Sequence, residues 1–344
     1  MEPLVYFVSP ELHEDIRVLL QAGRPLPPPE ECRTYFRRGI NAWVLQTYRR
    51  LAHAGYAVEL VQQLQPGKIN FTHYDFLPKL GPALDGFIVA ARADRAPVGL
   101  CDFQVVQSPA NAKGRASAFI AHWPVTDMQP RDPARGNDLT TAAYLGRPVN
   151  LSREFLSDNF TQRMKDIGID WRVEPNEERW NDYRAADAVL AVRDIPKLFL
   201  KTKPTSKLVN AWLGGCVPLM GPEPAYRHVG DEGRDYFEVA TPDDALRVLR
   251  ELKADPARLA AVRQAGAEKA ARHTVEARCA EWWALFEGPI SEEFDRWQKR
   301  YASQSGRLGR RRAFQRRRHK VLHRWFWTRS HLADRKKRLR PDGR

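Results

Sequence analysis

Residues 201–226, KTKPTSKLVNAWLGGCVPLMGPEPAY, place lysines and hydroxyl side chains directly in front of an apolar helix. The helix is predicted to follow Pro204, to be capped by Thr205 or Ser206, and to stop at two glycines. A short apolar strand follows, and the loop GPEPAY leaves its carboxyl end. Ligands of open α/β sheets bind at the carboxyl ends of strands, and helix N-termini favour anions. The stretch therefore predicts a diphosphate site. The alternative is a solvated, capped helix start, because neither GxxxxGK[ST] nor GxGxxG occurs in the chain.

The chain around this stretch alternates apolar strands with amphipathic helices. Residues 39–55 carry apolar side chains on one helical face and end in Gly55. Thr241 and Asp255, each followed by proline, are predicted helix N-caps. The predicted strands of the first half are LVYFV, YAVELV, KINFTH, GFIVAA, DFQVV and ASAFIA. This alternation predicts parallel sheets with crossover helices, an α/β fold class.

Three prolines and mixed charges interrupt the alternation after residue 122. We therefore predict a Rossmann-like domain over residues 1–123, a linker over 124–138 and a second Rossmann-like domain over 139–300. The second domain is predicted to end in a tryptophan-rich closing helix from about residue 274 to residue 300.

The positive charge of the chain is concentrated at its C-terminal end. The net charge is +14, but residues 296–344 alone contain 19 Lys or Arg and two Asp or Glu, a net +17. The rest of the chain is therefore slightly acidic, at −3. On a helical plot Phe314, Val321, Trp325 and Leu332 share one face, flanked by Leu322 and Phe326. We predict that residues 301–344 form a basic, aromatic helical extension.

The four cysteines fall in no metal-ligand or CxxC spacing. This argues against a disulfide framework or a zinc site and favours a reducing cytoplasm. No stretch approaches the roughly 18 apolar residues of a membrane span. We expect no metal and no cofactor, since any nucleotide sugar would be a substrate.

SKLVNAWLGGCVPLMGPEPAY, AAYLGRPVNL (residues 142–151) and GINAWVLQTYRRLAHAGYAVELV together resemble GT-B glycosyltransferases of the family 1 and family 4 type. The resemblance covers most of residues 1–290 and implies two Rossmann-like domains facing a cleft. It implies that Lys207 and Arg147 meet a donor diphosphate. Asn210 occupies a ribose-binding glutamate position of an E-x7-E pair, but the residue eight earlier is Thr202, so the pair is missing. The full implied donor set is Gly146, Arg147, Arg193, Thr205, Ser206, Lys207, Asn210, Glu223 and Tyr226.

An inverting glycosyl transfer also needs a base for the acceptor hydroxyl. The base should follow a strand of the first domain, and the candidates there are His73, Asp75, Asp94 and His122. For each of them a local cap or a hydrogen-bond role is the alternative, and His122 can also anchor the interdomain hinge. No DxD motif occurs, which disfavours the metal-dependent GT-A alternative.

The predicted function is metal-independent sugar transfer from a nucleotide-sugar donor to a cell-surface glycan or glycolipid-type, lipid-linked acceptor. Basic helices with aromatic residues on one face bind anionic membranes, so residues 301–344 are predicted to attach a cytoplasmic enzyme to the inner membrane leaflet. One alternative is a GT-B-type sugar-nucleotide epimerase. Another is a nucleic-acid-binding protein acting through the same basic segment, which the near-neutral remainder of the chain disfavours.

Overall fold

A computed structural model describes residues 2–24, 26–36, 39–81, 84–301 and 305–338, which form two parallel sheets with flanking helices. The strands are β1 (Val5–Val8), β2 (Val58–Val61), β3 (Ile69–His73), β4 (Phe87–Ala91), β5 (Phe103–Val106), β6 (Ser117–Phe119), β7 (Thr141–Leu145), β8 (Asp170–Glu174), β9 (Ala188–Ala191), β10 (Val217–Met220) and β11 (Phe237–Glu238). The helices are α1 (Glu14–Gln21), α2 (Gly39–Trp43), α3 (Leu45–His53), α4 (Asp158–Asp166), α5 (Lys197–Leu200), α6 (Ser206–Leu213), α7 (Pro224–Val229), α8 (Pro242–Ala254), α9 (Pro256–Ala270), α10 (Val275–Leu285), α11 (Ser291–Tyr301) and α12 (Ser305–Arg338).

The first unit comprises residues 1–122 and 279–344. Its six parallel strands follow the order β2-β1-β3-β4-β5-β6, and all six coincide with predicted strands. The residues of β3 and β4 are buried throughout, as expected for strands covered on both faces.

The second unit comprises residues 123–278 and contains a five-stranded parallel sheet in the order β11-β10-β9-β7-β8. Counted from its own first strand, this sheet has the doubly wound 2-1-3-4-5 order, and the first sheet has the same order with one further strand. Two Rossmann-like α/β units are therefore present, as predicted. The predicted caps at Thr241 and Asp255 are confirmed: Thr241 makes a reciprocal capping box with Asp244 before α8, and the Asp255 side chain caps α9. The predicted cap of α6 is wrong, because Thr205 occupies the N-cap position in helical geometry and its side chain makes no capping hydrogen bond.

Two predicted helices are divided in the structure. Residues 39–55 form α2 and α3, with a break at Val44. The predicted closing helix consists of α10 and α11 joined by a π-helical turn over residues 286–290. Gly288 leaves helical geometry there (φ −92°, ψ −105°), next to Pro289, which has no N–H to continue the hydrogen-bond ladder. From Cys279 onward the chain packs with the first unit, whereas the sequence analysis assigned residues 139–300 to a single domain.

The segment that the sequence analysis assigned to a linker packs on the second unit. Arg131 and Arg135 both bind the carboxylate of Asp187, which is completely buried, at 2.8 Å and 2.6 Å. The backbone N–H groups of Thr140 and Thr141 also donate to it, each at 2.9 Å. Burial alone would raise the pKa of Asp187, but these hydrogen bonds outweigh burial and hold it far below its usual value. The ion pairs of Arg131 and Arg135 with the buried Asp187 therefore attach the segment to the residue directly before β9.

Within the predicted C-terminal extension, residues 305–338 form a 34-residue helix, α12, whereas residues 302–304 and 339–344 lie outside the described residues. One face of α12 is part of the first unit. Arg312, only 4% exposed, donates to both carboxylate oxygens of Asp102, at 3.0 Å and 2.6 Å, and to the carbonyls of Leu84 and Gly86. The buried face of α12 also contains Leu308, Gln315, His319, Phe326 and Ser330. The extension is thus a layer of the fold, and only its remaining faces meet solvent.

Candidate active site

The predicted donor residues of the second unit follow three neighbouring strands. Gly146 comes directly after β7, Arg193 comes two residues after β9, and Glu223 lies three residues after β10. The strands are adjacent in the order β10-β9-β7, and the strand order reverses between β7 and β9. Such a reversal opens a crevice at the carboxyl edge, which is the usual ligand site of open α/β sheets.

Lys207, in the first turn of α6, extends to this edge. Its Nζ donates to the carbonyl of Leu145 and lies 4.9 Å from the ring centre of Tyr144 and 5.7 Å from that of Trp180. A Cβ at Gly146 would come within 2.8 Å of this Nζ, so a side chain there would have to displace the lysine ammonium. Desolvation, with a smaller effect from the charge of Arg193, lowers the pKa of Lys207 to about 7.

Arg193, Glu223 and Tyr226 form a buried polar cluster beside Lys207. Nη1 of Arg193 lies 2.6 Å from a carboxylate oxygen of Glu223 and 3.2 Å from the Tyr226 hydroxyl. Glu223 is completely buried, and this burial raises its pKa despite the opposing charge of Arg193. Glu223 directly precedes Pro224, the first residue of α7, so the start of this helix fixes the position of Glu223. The Glu223 carboxylate in turn holds Arg193 in place.

The remaining donor candidates divide into two groups. Thr205 and Ser206 stand at the N-terminus of α6, and the buried Thr205 hydroxyl has no hydrogen-bond partner among the described residues. Arg147 points instead to an exposed ion pair with Glu177. Asn210 uses its Oδ1 to accept the backbone N–H of Val125, at 3.2 Å. The structure thus gathers Gly146, Arg193, Lys207, Glu223 and Tyr226, while Arg147 and Asn210 are engaged in other contacts.

In the first unit, three of the four candidate bases lie together: Arg95 bridges Asp75 and Asp94, and His73 contacts Asp75. Nε of Arg95 lies 2.9 Å from Asp75 and its Nη2 lies 2.8 Å from the same carboxylate, while Nη1 binds Asp94 at 2.7 Å. His73 ends β3 and shares the loop with Asp75. Burial raises the pKa of Asp75, but the Arg95 hydrogen bonds and neighbouring charges outweigh burial and lower it.

His73 is 1% exposed, and burial lowers its pKa to about 4, so it is neutral at physiological pH. Its Nδ1 accepts the backbone N–H of Asp75 at 3.1 Å, which leaves the ring proton on Nε2. That Nε2 is buried without a partner among the described residues. In this arrangement His73 can donate a hydrogen bond through Nε2.

His122 lies apart from this group, three residues after β6, with β5 between β6 and β4. Its ring packs edge-on against Trp43, with centres 5.3 Å apart. It also ends the first of the two chain segments of the first unit, and the alternative role predicted for it from the sequence is a hinge anchor.

Three residues of these sites were missed by the sequence analysis. Arg95 connects the carboxylates of the first unit, and Tyr144 and Trp180 flank the Lys207 ammonium. Arg95 directly follows Asp94 in the post-strand sequence ARADR, so its position after β4 was a usable signal. The position of Trp180, between β8 and β9, has no such signal in the sequence.

No described helix is both long enough and apolar enough to cross a bilayer. Among the same residues, no three His, Cys, Asp or Glu side chains are grouped as metal ligands would be.

Comparison with known proteins identifies the fold of the chain and a glycosyltransferase-like region within it. Residues 153–284, which include α6 and β10, match a family model described as "Glycosyl transferase-like". No curated protein sequence matches the chain.

Among solved structures, sucrose-phosphate synthase from Thermosynechococcus elongatus is 13% identical, with a TM-score of 0.54, over 73% of this chain and 94% of that one. Anabaena Alr3699/HepE in complex with UDP and glucose is 10% identical, with a TM-score of 0.52, over 84% of this chain and 100% of that one. These structures share the two-sheet GT-B fold, and the family match favours a transferase over the epimerase alternative. The chain therefore has the GT-B fold, and its residues 153–284 are glycosyltransferase-like.

Proposed function

We propose that the enzyme moves a sugar from a nucleotide-sugar donor to a hydroxyl group of a cell-surface glycan or glycolipid-type acceptor, without a metal ion. This proposal rests mainly on the surroundings and the pKa of the Lys207 ammonium. Its ammonium is partly desolvated and has no carboxylate partner among the described residues, and its pKa is lowered to about 7. A cation held in this way is stabilised by a bound anion such as a diphosphate.

The same edge of the sheet offers further groups for a leaving nucleoside diphosphate. The first N–H groups of α6 and the Thr205 hydroxyl lie beside Lys207 in the chain, and a helix N-terminus attracts phosphate. Arg193 is oriented by Glu223 and Tyr226. These charges and donors would stabilise the phosphate oxygens as the glycosidic bond breaks, which is the task that metal-dependent enzymes assign to a cation. The UDP and glucose named for Anabaena HepE support a nucleoside diphosphate sugar as the donor class.

We assign the acceptor base, if the reaction inverts, to Asp94. The Nδ1 lone pair of His73 is occupied by the Asp75 N–H, and Asp75 is bound by two nitrogens of Arg95. Asp94 is the most exposed of the three, at 36% of its side chain. Asp94→Asn should lower kcat by about a hundredfold or more while the donor Kd stays unchanged. Unchanged kcat in that variant would refute the assignment.

The acceptor is proposed to be attached to a membrane, because α12 presents an unpaired apolar stripe. Phe314, Val321, Trp325 and Leu332 are 45–66% exposed and lie within one narrow sector of the helix. From Phe314 to Leu332 the stripe is about 27 Å long. Exposed arginines border it on both sides: Arg310, Arg317 and Arg324 on one and Arg318 and Arg329 on the other. An apolar stripe with basic borders suits an anionic membrane surface.

The same helix contacts the loop that carries the candidate bases. Nδ1 of His323 lies 3.1 Å from the hydroxyl of Tyr74, the residue between His73 and Asp75, and the ring of His319 packs on Tyr74. The two histidines and the stripe lie on opposite faces of α12, so a membrane surface bound to the stripe would be separated by about one helix diameter, roughly 10–12 Å, from the loop that is proposed to receive the acceptor. This supports peripheral attachment to the inner leaflet, and it favours a membrane over nucleic acid as the partner of α12.

Vesicle sedimentation of the full chain tests this attachment. Wild type should bind vesicles of phosphatidylcholine and phosphatidylglycerol, and Phe314→Ser/Val321→Ser/Trp325→Ser should bind about tenfold more weakly. The matched control replaces two exposed apolar residues elsewhere, Val18→Ser/Leu156→Ser, and should bind like wild type. If the stripe variant binds vesicles as tightly as wild type does, the membrane proposal is refuted. Tight binding of wild type to RNA instead of vesicles would favour the nucleic-acid alternative.

The donor site is tested by thermal shift with UDP, GDP, dTDP and CMP. One of these nucleotides should stabilise wild type, by about 2.7 kcal/mol at a hundredfold excess over Kd. Lys207→Met should lose most of this stabilisation, whereas the exposed Lys165→Met, on α4, should keep it. Stabilisation that is identical in Lys207→Met and wild type would exclude Lys207 from the donor site.

A further inference from the structure

A second cavity opens in the first unit, at the amino edge of its sheet. Its volume is about 420 Å³. Its walls come from the starts of β4 and β5, from Arg115 just before β6, from one side of α11 and from the second turn of α12. This is the opposite edge of the sheet from His73, Asp75 and Asp94. The lining residues are Phe87, Asp102, Arg115, Glu293, Arg296, Trp297, Lys299, Arg300, Tyr301 and Arg311.

The cavity has a strong excess of positive charge. Five of its lining residues are Lys or Arg and two are carboxylates, a net charge of +3. Both carboxylates are already engaged. Glu293 binds Arg296 at 2.7 Å and Arg115 at 3.0 Å.

Asp102 is engaged still more fully. It binds Arg311 at 3.1 Å and the buried Arg312 at 2.6 Å, and it accepts the backbone N–H of Ile88 at 2.9 Å. Neither acid is therefore available to neutralise the other cations of the cavity.

Two cations are left without any partner among the described residues, Lys299 and Arg300, at the end of α11. They face the same cavity as Arg311, so like charges gather in one concave site. Lys299 and Arg300 are exposed, so water screens part of their repulsion, and a bound anion would relieve the remainder. Phe87, Trp297 and Tyr301 give the cavity an aromatic wall, and its volume suits a small molecule or a lipid headgroup.

We propose that this cavity binds a phosphate-bearing ligand, with Lys299, Arg300 and Arg311 as the main contacts. Guanidinium groups match phosphate oxygens in a fork geometry, and lysine adds a point charge. The phosphate can belong to a soluble molecule or to an anionic lipid headgroup. Arg311 precedes Phe314, the first residue of the apolar stripe, by three positions, which brings the cavity close to the proposed membrane surface. The inference is independent of the sugar-transfer reaction, since no donor-side residue takes part.

The test uses the full chain and two phosphate probes. Isothermal titration with inorganic pyrophosphate measures soluble binding, and sedimentation with vesicles of phosphatidylcholine and phosphatidylglycerol measures headgroup binding. The cavity variant is Lys299→Gln/Arg300→Gln. The matched control, Lys165→Gln/Arg250→Gln, removes two exposed positive charges from the second unit. Lys207→Met removes the proposed donor-site cation, so that pyrophosphate binding at the two sites is measured separately.

The cavity variant should lose pyrophosphate or vesicle affinity by about tenfold relative to the matched control. Loss with pyrophosphate, retained in the Lys207→Met background, identifies a soluble phosphate ligand. Loss with vesicles alone identifies a lipid headgroup. If the cavity variant binds both probes as the matched control does, the proposal is overturned, and the proposed donor site is unaffected by that outcome.

Discussion

Two helices, α6 and α12, each direct a cation into the protein, and they use these cations in opposite ways. α6 directs one lysine to the carboxyl edge of its sheet, where aromatic rings and a backbone carbonyl surround the ammonium. α12 places Arg312 deep in the first unit and pairs it with Asp102. The lysine has no carboxylate partner among the described residues, whereas the donors of the arginine are almost all satisfied.

This difference shows that the partners of a buried cation indicate its role better than the local density of charge does. A buried arginine with a matching carboxylate holds elements together, and its removal leaves an uncompensated charge. A desolvated lysine without such a partner has a lowered pKa and is ready to accept an anion. The exposed arginines of α12 belong to a third class, since they border an apolar surface.

The largest expected effect is the loss of the Arg312 pair. Arg312→Met should lower the free energy of unfolding by about 3–5 kcal/mol, because Asp102 stays buried without its main partner. Urea denaturation checks this value. Arg317→Met, on the exposed side of α12, is the control and should change stability by no more than about 0.5 kcal/mol. Equal effects in the two variants would mean that α12 is not packed as a layer of the fold.

A smaller loss is expected where α12 approaches the first unit most closely. A Cβ at Gly99 would lie 2.5 Å from the backbone N and 2.6 Å from the Cα of His319, so Gly99→Ala must push the helix away. We expect a cost of about 1–3 kcal/mol in urea denaturation. Gly309→Ala, in α12 with open space around it, should instead be neutral or stabilising by up to about 1 kcal/mol. A Gly99→Ala protein as stable as Gly309→Ala would contradict this contact.

The Lys207 ammonium predicts a pH dependence of donor binding. A diphosphate favours the charged lysine, which the free protein holds fully only below its pKa of about 7. As pH rises above 7, binding must take up a proton, so Kd should increase by up to about tenfold per pH unit until the pKa of the complex is reached. Calorimetry between pH 7 and 9, in buffers of different ionisation enthalpy, measures both Kd and proton uptake. Lys207→Met should bind more weakly and without this slope, and Lys165→Met should keep the slope. A flat wild-type profile would place the lysine outside the diphosphate contact.

The smallest effect is expected for the exposed arginines of α12. Arg317→Gln/Arg324→Gln should leave stability within about 0.5 kcal/mol of wild type and weaken vesicle binding by roughly 1 kcal/mol per arginine. Vesicle sedimentation at low and high salt checks this, and the difference from wild type should shrink as salt rises. A loss of stability without any loss of vesicle binding would assign these arginines to the fold.

Much of the fold could be predicted from local pattern. The six strands of the first unit stood out as short apolar runs, and the caps at Thr241 and Asp255 could be identified from a cap residue followed by proline. The inner face of α12 could not be predicted, because Arg312 is one of several consecutive arginines in the sequence. Its partner, Asp102, lies 210 residues away, and only the three-dimensional structure distinguishes it from its neighbours.

The site was predictable to the extent that its residues directly follow strands. Gly146, Arg193 and Glu223 were found because each comes soon after an apolar run, and α6 was marked by its glycines and hydroxyls. Local sequence cannot tell where a side chain points, so the ion pair of Arg147 with Glu177 and the bond of Asn210 to Val125 were not foreseen. For the same reason the bridging role of Arg95 required the structure.

The most direct test of the central claim is transfer of labelled sugar to an anionic membrane fraction from a panel of UDP-, GDP- and dTDP-linked sugars. The assay is run with excess chelator, using wild type, Lys207→Met and Lys165→Met. We predict that one donor is consumed by wild type and by Lys165→Met despite the chelator, and that Lys207→Met loses at least about tenfold in kcat/KM. Equal turnover by Lys207→Met, or activity that disappears with chelator, would contradict a metal-independent donor site built on the α6 lysine.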